Sequence, residues 1–311
     1  TSRRQRQMCI RDRYLYIAML GLAVCLGLGS CSEDAPSDPT NFPTTPVERN
    51  AFDQWLLKNF TYPYNVSFLY KMKDIESDMT KNLVPADSAK STKLAIIIKY
   101  LWFDAYAEAI GPDFIKENVP RVIHLIGSPA FNSNGTIVLG TAEGGQKVTL
   151  YTVNSLTDEN LKDYSYLNDY YFHTMHHEFT HILNQKVAYN KSFDKVTASG
   201  YVSGDWTNIE DVDAQKKGFV TAYAMEEGKE DFAEMLSTYV TSTPTQWEKI
   251  LSTAGANMVD ETLTARQAIE QKLSIVRDYM SKSWGLDIDK LRDAVLHRGN
   301  ELSSLDLEHL N

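Results

Sequence analysis

Apolar residues recur at helical spacing near the start of the chain, where Phe52, Leu56 and Phe60 mark one face of "VERNAFDQWLLKNF" (47–60). The aromatic run "YPYNVSFLYKM" (62–72) predicts a strand. "KSTKLAIIIKYLWFDAYAEAIG" (90–111) is apolar on most faces and predicts a long, largely buried helix that stops at Gly111-Pro112. Three strand candidates follow, "RVIHLIG" (121–127), "GTIVLGT" (135–141) and "QKVTLYTVN" (146–154), separated by the turn-forming "SPAFNSN" and "AEGG". Beyond them the helical period returns over 158–187, 208–225, 229–242, 245–254, 260–284 and 287–303. A small sheet with N-terminal helices, then a helical second half, predicts an α+β fold. No internal repeat is present.

The first 47 residues follow another logic. Five arginines precede the apolar run "YLYIAMLGLAVCLGLGS" (14–30), which is too short to span a membrane and has the anatomy of a signal peptide. The opening "TSRRQRQMCIRDR" is unusual for such a leader and receives no structural role. The run ends in Leu28-Gly29-Ser30-Cys31, similar to a bacterial lipobox, whose Cys becomes the lipidated first residue of the mature protein. The polar, Pro-rich residues 31–47 predict a flexible tether. Its early acids resemble the surface-export signal of Bacteroidota lipoproteins. The expected organisation is a signal peptide over 1–30, a lipidated Cys31 and tether over 31–47, and one domain over 48–311. That domain divides into a sheet-containing lobe (48–187) and a helical lobe (188–311). The implied location is the outer membrane, facing the cell exterior, with membrane contact only through Cys31.

Composition narrows the chemistry. The chain carries a formal charge of -10, and without residues 1–30 the remainder holds 26 basic and 40 acidic side chains, or -14. Such a body lacks the cationic surface that nucleic-acid phosphates require. The three cysteines, Cys9, Cys25 and Cys31, all precede the domain. Disulfides, thiolate zinc ligation and a cysteine nucleophile are therefore excluded from it, and any metal there must be held by His and carboxylate. "DWTNIEDVDAQKKGF" lacks the Gly and terminal Glu of a calcium loop and predicts the start of a helix.

Four of the seven histidines fall within nine positions of "YFHTMHHEFTHILNQ" (171–185). His177-Glu178-Phe179-Thr180-His181 is His-Glu-x-x-His. On a helix, residues four apart share a face, so His177 and His181 can present two imidazoles to one ion, with Glu178 about 100° round, near a bound water. His173 shares that face, but eight residues place it roughly 12 Å from His181 along the axis, too far for joint ligation. It fits either a role behind the ligands, lining the cleft, or a core position. His176 faces elsewhere and fits a structural role. A catalytic zinc takes three protein ligands and leaves one position open. A carboxylate from a second helix, "GKEDFAEMLSTYV" (228–240), can supply the third, Glu230 and Glu234 being four apart. Acids at a helix start also occur simply because they favour the N-terminal dipole.

"HHEFTH", followed some fifty residues later by "FVTAYAMEEGKEDFAEML", resembles the gluzincin class of zinc metallopeptidases. It is more closely similar to the zinc-binding metallopeptidase lipoproteins of Bacteroidota, and its motif spacing is similar to that of the catalytic domain of anthrax lethal factor. The resemblance implies a zincin-like fold and one Zn2+ held by His177, His181 and Glu230. It also implies Glu178 as general base, Tyr223 as the group that stabilises an oxyanion, and Glu234 behind the ligands with His173. Many gluzincins have Asp where this chain has Glu234, so the orientation of that carboxylate is open, and Asp231 competes for either acidic role. The implied activity is hydrolysis of peptide or protein substrates, with "QKVTLYTVN" as the edge strand to which a substrate adds. The rival is a binding or assembly lipoprotein with a structural or vestigial zinc site. Glu178 separates the two, because a structural site has no need of a base beside its first ligand.

Overall fold

The computed structural model describes residues 48–310, apart from 74–76, 79, 133–136, 139 and 144–145. The expected leader and tether lie outside the described residues. Arg49–Asn311 forms one compact unit.

Helix α1 (Ala51–Leu56) starts at a reciprocal cap, in which Asn50 Oδ1 accepts from the Asp53 N–H and Asp53 accepts from the Asn50 N–H. It runs through a π turn (Leu57–Thr61) into a last turn at Tyr62–Tyr64. Only Ser67–Leu69 of the predicted first strand is extended; this is β1. The long buried helix is present as α2 (Ser88–Ile98), a π turn (Lys99–Phe103) and α3 (Asp104–Ile110). It stops at Gly111 with φ +103°, a conformation that favours glycine. Pro112 then opens a further helix, α4 (Pro112–Asn118), absent from the sequence reading. The same Pro that cannot continue one helix is pre-set for the first turn of the next.

The strands that follow are β2 (Val122–Leu125), β3 (Ala130–Phe131), β4 (Ile137–Val138), β5 (Gly140–Glu143) and β6 (Lys147–Leu150). The main sheet has the order β1-β2-β6-β5. β1, β2 and β6 are parallel, and β5 runs antiparallel to β6, while β3 and β4 form a separate two-stranded pair. The predicted strand 135–141 is thus shared between two sheets. "QKVTLYTVN" is not an edge strand: β6 is hydrogen-bonded to β2 on one side and β5 on the other. The edge beside the His-rich helix is β5.

The expected helix 158–187 is interrupted. Short turns at Asn160–Lys162 and Tyr164–Leu167 and a π turn at Asn168–Phe172 precede helix α5, His173–Lys186. The expected helix 208–225 is mostly absent. Asp211–Gln215 is helical, but Gly218 turns the chain at φ +86°, where an added Cβ would meet Ala268 Cβ at 2.9 Å. The remaining helices are α6 (Gly228–Thr241), α7 (Pro244–Ala254), α8 (Ala265–Tyr279, continued by a π turn to Trp284) and α9 (Ile288–Glu301). The fold is α+β, with a mixed sheet.

α6 is the buried centre of the helical part. It packs against α5, α8 and α9, and every residue from Glu230 to Thr241 is buried. α5 is held from behind by aromatic edges: Phe179 lies 5.2 Å from Trp102 and 5.1 Å from Tyr106, ring centre to ring centre. These contacts leave α5 little freedom to rotate, which fixes where its histidines point.

Candidate metal centre

Three atoms that could hold a metal ion converge where α5 meets α6. His177 Nε2 and His181 Nε2 lie 3.0 Å apart, and Glu230 Oε2 lies 2.9 Å from the first and 3.1 Å from the second. The four-residue spacing on α5 brings the imidazoles together, and the α5–α6 contact delivers the carboxylate. Zinc bonds of about 2.0–2.1 Å at tetrahedral angles separate neighbouring ligand atoms by about 3.3 Å. The triangle is therefore close to one face of a zinc tetrahedron, with two nitrogens and one oxygen as donors. Glu178, His181, Tyr223 and Glu230 all line one cavity of about 480 Å³, together with Tyr189 and Lys191. His181, Glu230 and Glu178 thus share a space large enough for a substrate segment.

The comparisons with known proteins point to zinc. The family model described as "Putative zinc-binding metallo-peptidase" matches residues 45–289. This chain belongs to that family. The crystal structure of a putative zinc-binding metallo-peptidase from Bacteroides caccae is 44% identical. It covers 88% of this chain and 100% of its own, with a TM-score of 0.72. No curated protein matches.

In this member of the zinc-binding metallopeptidase family, the acids of α6 are each paired, as buried charges must be. Glu234 Oε1 accepts from His177 Nδ1 at 2.7 Å and from His173 Nε2 at 2.9 Å, and its Oε2 accepts from the Thr221 hydroxyl at 2.6 Å. The longer side chain at this position is thus held at both oxygens. Asp231 is excluded from the centre, since its Oδ2 meets Lys272 Nζ at 2.6 Å and the Tyr201 hydroxyl at 2.9 Å. Both Asp231 and Lys272 are fully buried, and burial pushes Asp231 up to about 6 despite the ammonium beside it.

His173, His177 and Glu234 form a second group that could hold a metal. His177 Nδ1 and His173 Nε2 converge there on one carboxylate oxygen, as two N–H donors would. Of the His177–His181–Glu230 group, by contrast, His181 and Glu230 line the cavity. Burial disfavours charge on His177, yet its bonds to Glu230 and Glu234 outweigh this and raise it to about 10. Glu230 and Glu234 oppose their own burial in the same way and lie well below the usual carboxylate range.

His176 is not part of the centre. It is fully buried, its Nδ1 is 3.0 Å from the Tyr106 hydroxyl, and burial lowers it to about 3. Tyr223 lies against the centre, its ring 5.6 Å from that of His177 and 4.9 Å from that of Trp206. Burial and the carboxylates of Glu230 and Glu226 raise its phenol, so it stays a hydrogen-bond donor at neutral pH.

The sequence reading overlooked Thr221, Ser237, Trp206 and Lys272. Only Lys272 left a signal: it interrupts the apolar face made by Ala265, Ala268, Ile269 and Val276. Its ammonium donates to the Gly218 carbonyl at 3.0 Å and lies 3.8 Å from the centre of the Phe219 ring.

Proposed function

We propose that this chain hydrolyses peptide bonds, with one zinc ion held by His177, His181 and Glu230. The observation that carries the proposal is the triangle of 2.9–3.1 Å among these ligand atoms, two of whose residues, His181 and Glu230, line a cavity together with Glu178 and Tyr223. Zinc, when bound, supplies Lewis acidity and makes water a usable nucleophile near neutral pH. Glu178 takes the proton from the attacking water and passes it to the leaving amine. Tyr223 donates a hydrogen bond to the oxyanion that develops on the carbonyl. Glu234 accepts a hydrogen bond from His177 Nδ1–H, which keeps the proton on Nδ1, leaves Nε2 free to ligate and fixes the plane of the ring.

The test pairs metal analysis with cleavage of a randomised peptide library by wild type and Glu178→Gln. Stoichiometric zinc in both proteins, with cleavage by wild type alone, is the expected result. Zinc in both and cleavage by neither overturns the peptidase reading and leaves the metal centre standing. We also propose that the domain acts from a lipid anchor at Cys31, on the motif Leu28-Gly29-Ser30-Cys31. Radiolabelled palmitate should enter the wild-type chain and not Cys31→Ser; equal labelling of both overturns it.

A further inference from the structure

Thr221 touches two parts of the centre at once. Its hydroxyl donates to Glu234 Oε2 at 2.6 Å, and the same oxygen accepts the N–H of Ala224 at 3.2 Å. Ala224 is the middle residue of the single turn Tyr223–Met225, so this second bond fastens the turn that carries Tyr223. The first bond fastens the carboxylate on which His177 rests. One oxygen atom thus links the metal arm on α5 and α6 to the wall that bears the phenol.

Two further features make this link stiff. The Ala222 N–H donates to Asp211 Oδ1 at 2.7 Å, so the backbone is held on the residue next to Thr221. Glu234 has no freedom to compensate, because Oε1 already takes His177 and His173 at 2.7 and 2.9 Å. A glutamate has one more rotatable bond than an aspartate and needs more restraint to keep a fixed direction. Thr221 supplies it at the oxygen that His177 does not use.

We propose that Thr221 is a positioning residue for the metal centre: its hydroxyl sets the direction of Glu234, hence of His177, and the placement of Tyr223 together. This rests on His177 being a zinc ligand, but its test does not depend on peptide cleavage. Zinc affinity, measured by chelator competition on the full domain, should fall about tenfold or more in Thr221→Val, which keeps the shape and removes the hydroxyl. The visible spectrum of the cobalt-substituted protein should shift in the same variant. Thr221→Ser, which keeps the hydroxyl, should restore both. On the best-cleaved library peptide, Thr221→Val should lower kcat more than it raises KM.

Zinc affinity within twofold of wild type, with an unchanged cobalt spectrum, overturns the proposal. So does a Thr221→Ser variant as weak as Thr221→Val, because the methyl group rather than the hydroxyl would then matter. Should Thr221→Val not fold, Thr221→Ala carries the same comparison with less bulk. A wild type that holds zinc but cleaves nothing sinks the peptidase reading alone, since the affinities and spectra remain decisive for Thr221.

Discussion

His177 and Glu234, fifty-seven residues apart in the chain, meet through Nδ1 and Oε1 at 2.7 Å. That bond assigns the two sides of the imidazole. Nδ1 faces the protein interior, and Nε2 faces Glu230 and His181. Glu234→Gln keeps the size of the side chain but removes the charge that favours an N–H at Nδ1. Zinc affinity is expected to drop about 10- to 100-fold, measured by competition with a chromogenic chelator. An affinity equal to wild type would mean that the ring is held by packing alone.

The proposed ligand set separates residues that sequence proximity groups together. Glu230→Ala should lose stoichiometric zinc, because it removes the only oxygen of the ligand triangle. His173→Ala should retain one zinc per chain, since His173 meets Glu234 and Ser237 rather than the triangle. Elemental analysis after gel filtration reads both. Zinc lost from the His173 variant and kept by the Glu230 variant would reverse the assignment.

Tyr223→Phe tests the phenol without disturbing the ring contacts to His177 and Trp206. A lost oxyanion donor should lower kcat by about 10²–10³, with KM and zinc content close to wild type. Steady-state kinetics on a library-derived peptide separate the terms. A change confined to KM would instead make Tyr223 a substrate contact.

The centre was partly legible in the sequence because its signals are local. His177 and His181 are four apart, and so are Glu230 and Glu234, so helix periodicity alone puts each pair on one face. Their meeting depends on α5 packing against α6, which periodicity does not encode and family resemblance supplied. Thr221 was invisible because an isolated threonine in "FVTAYAM" has no pattern; it acts only where the chain turns after Gly218. That turn also removed most of a predicted helix, since a glycine at positive φ with no room for a Cβ beside Ala268 is a tertiary fact. Sheet order failed for the same reason. The resemblance made β6 the edge strand, but β6 pairs with β2 on one side and β5 on the other, and such pairing is a non-local choice.

His176 gives a pH dependence that does not involve the metal. Burial holds it at about 3, against 6.5 for an exposed histidine, so the unfolded chain binds a proton that the folded chain refuses. A depressed folded value contributes stability that is complete above pH 6.5 and is lost as the pH falls toward 3. The slope should approach about 1.4 kcal/mol per pH unit once the unfolded imidazole is protonated. His177 is shifted the opposite way and contributes stability that is lost only between about 6.5 and 10, so the two windows do not overlap. Urea unfolding of the metal-free domain at pH 6, 5.5 and 5 should show this decline, shallower by about one proton in His176→Gln, whose amide can still meet the Tyr106 hydroxyl. Equal slopes in the two proteins would show that His176 takes up its proton in the folded state, which its full burial beside Tyr106 argues against.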